Sequence, residues 1–388
     1  MENRSAAAPR FAPTALMLGN VVTGCAVLAP AGMLKELSEG LDVSIRTAGL
    51  LITFGAIVLC VGSPVTAWLT SRIERRVLLS ATLAVLAATN IASAFASDYA
   101  SLLGLRLLML AVGVIYTPQA AGTAAMIVPE TRRGSTIAYV FLGWSLAAAI
   151  GLPLIALVSH RYGWRVAYGG VGALGLISFL LLTWRLPRGL FGAPVALRTW
   201  LDLARNRLVV LLLLVTTLYM AGQFVIFTFM GPLVARLTGA SADAASLMFA
   251  LYGVFGFLGV AVATRIVDGW GAFRTSLLSV SLVLAGVAGW AFSAGNYVLM
   301  AVSVAIWGLG FASSNSMQQV RLVAAAPSMA SASVSLNTSV LYVGQAIGSA
   351  VGGVLYGGDF LYGMGYAATT FLALALVTVV LTRTHEPG

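Results

Sequence analysis

The sequence predicts an all-α membrane protein, with twelve transmembrane helices in two pseudo-repeated six-helix bundles, on three observations. Hydrophobic residues make up 60% of the 388 and charged residues only 9%, whereas a soluble domain carries roughly 25% charged residues. The few charges cluster between apolar runs of roughly 20 residues, the length a helix needs to cross the hydrocarbon core. A single offset also superimposes the first half of the chain on the second. Mean hydropathy is +0.96, so lipid is the main solvent. The net charge of +10 would suit a polyanion, but the basic residues follow the connections between apolar runs and form no patch. That excludes nucleic acid and makes the lipid bilayer the partner.

Hydropathy, charge clusters and Gly, Pro and Asn punctuation place the spans near 12–34, 47–70, 76–96, 101–127, 135–158, 165–185, 208–232, 244–266, 273–293, 296–320, 329–356 and 362–382. The first run follows two arginines as a signal peptide would, but its length and the spans that follow mark it as a retained helix. An even number of spans puts both ends on one side. Lys35, Arg46, Arg161, Arg165 and Arg236 fall on the opposite side, Arg106 falls within the fourth span, and the other sixteen of the 22 cations share the side of the termini. The positive-inside bias therefore predicts cytoplasmic termini.

The longest polar connection, 186–207, separates a bundle at 1–185 from one at 208–388. It carries Pro187, Pro194, Arg188, Arg198, Arg205 and Arg207 against Asp202. It is either a tether or a helix on the anionic membrane surface, and the amphipathic character around Trp200 favours the helix. Cys25 and Cys60 lie in apolar segments and are expected to be small buried hydrophobes.

An offset of 197 positions lays Gly62 on Gly259, Gly113 on Gly310 and Gly151 on Gly348, and aligns the connection 71–76 with 268–274. One offset serving three spans points to duplication. Two repeated six-span halves suit alternating access around a site between them, near the bilayer midplane.

The second connection of each half resembles the signature of the major facilitator superfamily: a glycine, eight residues, then Asp-x-x-Gly and basic residues. Gly259, Asp268, Gly271 and Arg274 match it. In the first half Gly62, Ser71, Glu74, Arg75 and Arg76 depart from it, and this variant resembles the sugar efflux (arabinose efflux) branch of the drug:proton antiporter group. Arg106 with Gly113 is similar to the fourth-helix motif, Gly143 to Gly151 and Pro153 to the fifth-helix antiporter motif, and Gly163, Trp164 and Arg165 to the start of the sixth helix. Arg321 to Pro327 and Ser335 to Thr338 fit the same branch. The resemblance implies the major facilitator fold, residence in a bacterial-type inner membrane, and efflux of small solutes such as sugars or drugs against inward proton flow. Val27 stands where the branch often carries a glutamate.

Every acidic residue and both histidines fall at a connection or a span end, so no intramembrane carboxylate offers itself as a proton relay. Either a span-end acid such as Asp268 binds the coupling ion, or transport is uncoupled or uses another gradient. Asp268 is first of all a gating residue on the side of the termini, pairing with arginine and a helix end, together with Arg72, Arg75, Arg76 and Arg274. As the one cation placed inside a span, Arg106 either faces the cavity or bonds between helices, where it would take an anionic or hydroxyl-rich solute, or snorkels to the outer surface.

Helical spacing groups Tyr219, Gln223, Ile226, Phe227 and Met230 on one face of the seventh span, and Trp307, Phe311, Asn315 and Gln318 on one face of the tenth. Aromatics beside amides suit an amphipathic solute. Spans one, four, seven and ten line the cavity in the superfamily, which adds Asn20 and Tyr116. Asn337 and Gln345 flank Gly344, Gly348 and Gly352, a small-residue seam for close helix approach.

These residues predict a monomeric secondary transporter of a small neutral or amphipathic solute, with no metal and no cofactor. The rival within transport is a facilitator or importer without proton coupling. An enzyme would need a His, Asp or Glu constellation inside the spans, and a receptor an appended soluble domain. The sequence supplies neither.

Overall fold

The computed structural model describes residues 11–70, 72–129, 132–191, 203–326 and 329–383. Among them twelve helices are long and apolar enough to cross a membrane: Ala12–Gly32, Ile45–Ser63, Arg75–Ser93, Tyr99–Met126, Tyr139–Tyr162, Trp164–Arg185, Arg207–Phe227, Ala242–Val267, Gly269–Phe292, Tyr297–Ala325, Ala332–Gly357 and Leu361–Thr382. They are numbered here as spans one to twelve. The first begins at what we call the entry face and ends at the far face, and the others alternate. The segment around Trp200, expected as a surface helix, lies outside the described residues, as do Glu2, Glu130, Asp202 and Glu386.

Two spans end elsewhere than hydropathy predicts. The seventh stops at Phe227, not near 232, and the chain resumes as a short helix, Met230–Thr238. Hydropathy misses this break because Phe229, Met230, Leu233 and Val234 are all apolar and fully buried at the far face. The tenth span runs past 320 to Ala325 and carries Arg321 inside it. Arg106 is therefore not the one intraspan cation: Arg321 is 2% exposed and Arg75, the first residue of the third span, 7%.

Glycine and proline set the breaks within spans. Spans eight and nine form one helical run interrupted at Gly271, whose φ of 80° is open to glycine without steric cost. The fourth span pauses at Val114 and Ile115 and resumes at Tyr116, where Pro118 has no N–H to offer the Val114 carbonyl. The fifth passes through a π-helical turn, Ala147–Gly151, just before Pro153.

The repeat holds in three dimensions. A methyl on Gly113 would meet Leu86, and one on Gly310 would meet Val283, which lies 197 positions beyond Leu86. Gly151 abuts the Cys25 sulfur of the first span, and Gly348 the backbone of Ala221 in the seventh. The glycine seam packs as expected: methyls on Gly344, Gly348 and Gly352 would overlap the carbonyl oxygens of Thr217, Ala221 and Val225. Gly143 lies equally close to the backbone of Met17 in the first span.

Contacts between the halves run chiefly between spans two and eleven and between spans five and eight, and gather from mid-span to the far face. There the Thr53 hydroxyl donates to Ser349 Oγ at 3.0 Å, Phe229 packs on Gly49, and Arg46 lies along Gly353 and Gly357. An exposed ion pair, Arg161 with Asp243 at 3.9 Å, spans the same seam. Toward the entry face, Val61, Val65, Trp68 and Leu69 are exposed on the helix Ile45–Leu69, which continues the second span beyond Ser63, as are Phe257, Leu258 and Val262 of the eighth. Among the described residues, the halves are joined at the far face and part toward the entry face.

Candidate functional site

Arg106 is 1% exposed and its guanidinium serves the backbone. Nε donates to the Leu51 carbonyl at 2.9 Å, Nη1 to Ala26 at 2.9 Å and Nη2 to Val27 at 2.8 Å. Pro30, inside the first helix, explains one of the two first-span acceptors, because the Ala26 carbonyl has no amide four residues on. A proline thus opens a carbonyl and an arginine from the fourth span fills it, tying spans one, two and four together. This is the interhelical alternative. Arg106 neither snorkels nor presents its charge to a solute in this conformation.

In the first half a polar chain crosses three spans. Trp144 Nε1 donates to Thr117 Oγ1 at 3.0 Å, the Thr117 hydroxyl donates to Asn20 Oδ1 at 2.8 Å, and Asn20 Nδ2 donates to the Val140 carbonyl at 2.9 Å. Asn20 is fully buried, whereas Thr117 and Trp144 are partly exposed. Tyr116 sits apart, its hydroxyl on the Leu16 carbonyl at 3.2 Å and its ring against Gly19. Helical spacing already puts Thr117 on the Arg106 face of the fourth span, with Leu110 and Gly113, whereas Trp144 is missed. The available signal was an indole beside Gly143.

In the second half Gln223 is the hub. Its Oε1 accepts from Trp307 Nε1 at 2.7 Å and from the Tyr252 hydroxyl at 3.5 Å, while Nε2 donates to the Tyr219 carbonyl at 3.2 Å. Tyr252, from the eighth span, is the residue missed when attention rests on spans one, four, seven and ten. It lies 4.9 Å from Phe227, 5.2 Å from Trp307 and 4.9 Å from Phe311, measured between ring centroids, close enough for aromatic pairing. Tyr219 is buried alongside.

Nearer the entry face is a second group. The Thr216 hydroxyl donates to Asn337 Oδ1 at 2.7 Å, and Asn337 Nδ2 reaches Asn315 Oδ1 at 3.5 Å. Gln318 Nε2 lies 3.5 Å from the Leu212 carbonyl. Gln345 is buried on the eleventh span.

The gating candidates divide. Arg72 and Arg274 are exposed and Arg76 half-buried, and Arg274 lines a shallow recess of about 430 Å³ with Trp270, Leu277, Leu278 and Ser281. The Asp268 side chain lies outside the description. Arg75 departs from the set, being enclosed within its own half with its backbone N–H on the Leu190 carbonyl at 2.8 Å. Arg321 donates to Ser276 Oγ at 3.4 Å and to Thr382 Oγ1. It is a packing residue of spans nine, ten and twelve, not a connection charge.

Beside the buried Arg75, Arg106 and Arg321, the buried polar groups of both halves are neutral amides, hydroxyls and indoles, and the described acids stand at span ends or connections. Such an arrangement can offer a solute hydrogen bonds and stacking surface.

The sequence profile of the Major Facilitator Superfamily matches residues 16–349 and 212–388. The chain is 29% identical over 382 residues to the "Inner membrane transport protein YdhP" of Escherichia coli (strain K12), covering 96% of each chain. It is 24% identical over 353 residues to the "Probable sugar efflux transporter" of Mannheimia succiniciproducens, covering 91% of this chain and 88% of that one. Among solved structures, the D-xylose-proton symporter superimposes with a TM-score of 0.79 at 15% identity, covering 97% and 98% of the two chains.

Proposed function

Because the chain belongs to the major facilitator superfamily of transport proteins, we propose that it exports a small neutral or amphipathic solute across a bacterial-type inner membrane by alternating access. The observation that carries this reading is the Gln223 hub with its aromatic wall in one half, with the partly exposed Trp144 and Thr117 in the other. Neutral hydrogen-bonding groups beside flat aromatic surface suit a hydroxyl-bearing or amphipathic solute and demand no charge. The relative named for sugar efflux supports the direction and the class.

In this reading the halves are 1–185 and 208–388, joined by 186–207, with both termini cytoplasmic and the protein a monomer. Arg72, Arg76, Asp268 and Arg274 then meet when the entry face closes, and separation of the Arg161–Asp243 pair opens the far face. Asn315, Asn337, Gln318 and Gln345 extend the solute path toward the entry face.

A second reading, a facilitator or importer without proton coupling, is supported by the position of the acids. No described Asp or Glu lies deep within a span, and Val27 gives its carbonyl to Arg106. Counterflow in proteoliposomes, run with and without a pH gradient, separates the two. Gradient-stimulated export supports the first, and equal exchange in both conditions the second. A thermal-shift screen against sugars, nucleosides, amino acids and antibiotics identifies the solute. If neither Gln223→Ala nor Asn315→Ala weakens a hit, this site is wrong.

A further inference from the structure

The third span begins where the sixth ends. Ser80 and Thr183 bond across the two helices at 2.9 Å, the Arg75 N–H donates to the Leu190 carbonyl, and the Gly189 N–H donates to Glu74 Oε1 at 2.6 Å. In this corner the Arg75 side chain is more than nine-tenths buried, and its Nε and Nη1 have no hydrogen-bond partner among the described residues. An enclosed guanidinium donor without an acceptor is costly. The adjacent carboxylate, Glu74, already serves Gly189.

Arg185 ends the sixth span, three residues before Arg188. Its guanidinium stacks 3.8 Å from the Trp184 ring and 5.2 Å from Phe11, and its Nε too lacks a partner. Trp184 is 73% exposed, and Val77 and Leu180 continue the exposed apolar surface away from the entry face. Orphaned arginine donors therefore lie at the ends of two neighbouring spans that carry exposed apolar side chains, one of them a tryptophan of the kind that marks the headgroup boundary.

The second half shows the alternative. The residue equivalent to Arg185 is Thr382, and it bonds the buried Arg321. That guanidinium finds its acceptors inside the protein.

We propose that the corner of Arg75, Arg185 and Arg188 binds the phosphodiester headgroup of an anionic glycerophospholipid. The phosphate oxygens supply the acceptors that Arg75 and Arg185 lack, Arg188 adds charge from its exposed position, and the acyl chains run along Val77, Leu180 and Trp184. The site needs only that these two spans cross the bilayer, whatever the chain carries across it.

Native mass spectrometry of the full chain in detergent tests this, with dioleoylphosphatidylglycerol, dioleoylphosphatidylcholine and inorganic phosphate titrated separately. Phosphatidylglycerol adducts should form at lower concentration than phosphatidylcholine adducts. Arg75→Gln should weaken them about fivefold, the effect of one arginine at an anionic surface. Arg188→Gln, at an exposed position that folding does not depend on, should weaken them in the same direction and keeps the test alive if Arg75→Gln does not fold. Equal binding of the two lipids overturns the site, as does phosphate alone binding as tightly as phosphatidylglycerol. It is also overturned if Arg188→Gln changes nothing, or if Arg274→Gln weakens the adducts as much.

Discussion

At equivalent places in the repeat, the two halves of this transporter solve one packing problem with different chemistry. In the first half Ala26, Pro30, Gly55 and Arg106 meet; a methyl on Gly55 would press on Leu110 and approach the Arg106 Nε. The residues 197 positions on are Gln223, Phe227, Tyr252 and Ser303. There Ser303 bonds its own helix at the Leu299 carbonyl, and the volume is filled by rings around an amide. One half is locked by a cation on three backbone carbonyls, the other by a neutral side-chain network. Carbonyls are fixed by the helix, so the first arrangement is rigid. Side chains choose among rotamers, so the second can re-pair with a solute. We therefore propose that recognition falls mainly in the second half.

The largest expected effect tests the lock. Arg106→Met strands the buried Ala26 carbonyl and removes the ties to Val27 and Leu51, and should cost about 3 kcal/mol of stability in detergent. A cost below about 1 kcal/mol would break the contrast between the halves. Next come the two matched glycines. Gly348→Ala drives a methyl into the Ala221 carbonyl and should cost about 2 kcal/mol. Gly151→Ala meets the Cys25 side chain, which has more room to yield, and should cost about half as much. Equal costs in denaturant titrations would mean the two seams are alike.

Gln223→Met removes the acceptor of the Trp307 indole while keeping volume. It should cost about 1 kcal/mol of stability but about tenfold in the response to any solute that wild type binds. A stability loss matching that of Arg106→Met, with solute binding intact, would make Gln223 merely a second lock. The smallest effect refines the origin of the first. In Pro30→Ala the Ala26 carbonyl regains a backbone amide, so a double-mutant cycle with Arg106→Met should show coupling of about 1 kcal/mol. Simple additivity would mean the proline does not create the need for the arginine.

Much of the fold was legible because hydrocarbon imposes a length on every apolar run, and the twelve spans stand close to where hydropathy places them. The seventh span was misjudged because buried apolar residues continue past the helix break at Thr228, and hydropathy registers burial, not backbone direction. Of the site, Gln223, Phe227 and Trp307 were legible from helical spacing, and the structure brings them together. Tyr252 was not, because pairing between the seventh and eighth spans has no signature within either one. Arg106 was legible as costly but not as satisfied, since its acceptors lie in two other spans.

By itself the sequence determined the membrane class, the number of crossings, the duplication and the placing of the acids at span ends or connections. Each of these depends on composition or on spacing along one chain, which lipid and helix geometry convert directly into structure. Tertiary structure alone decided which polar groups consume one another and which remain for a solute. It turned Arg106 into a tie between helices, enclosed Arg75 and Arg321, and assembled the Gln223 hub from three spans. Hydrogen bonds between helices depend on rotation and crossing of packed cylinders, and no local pattern encodes that.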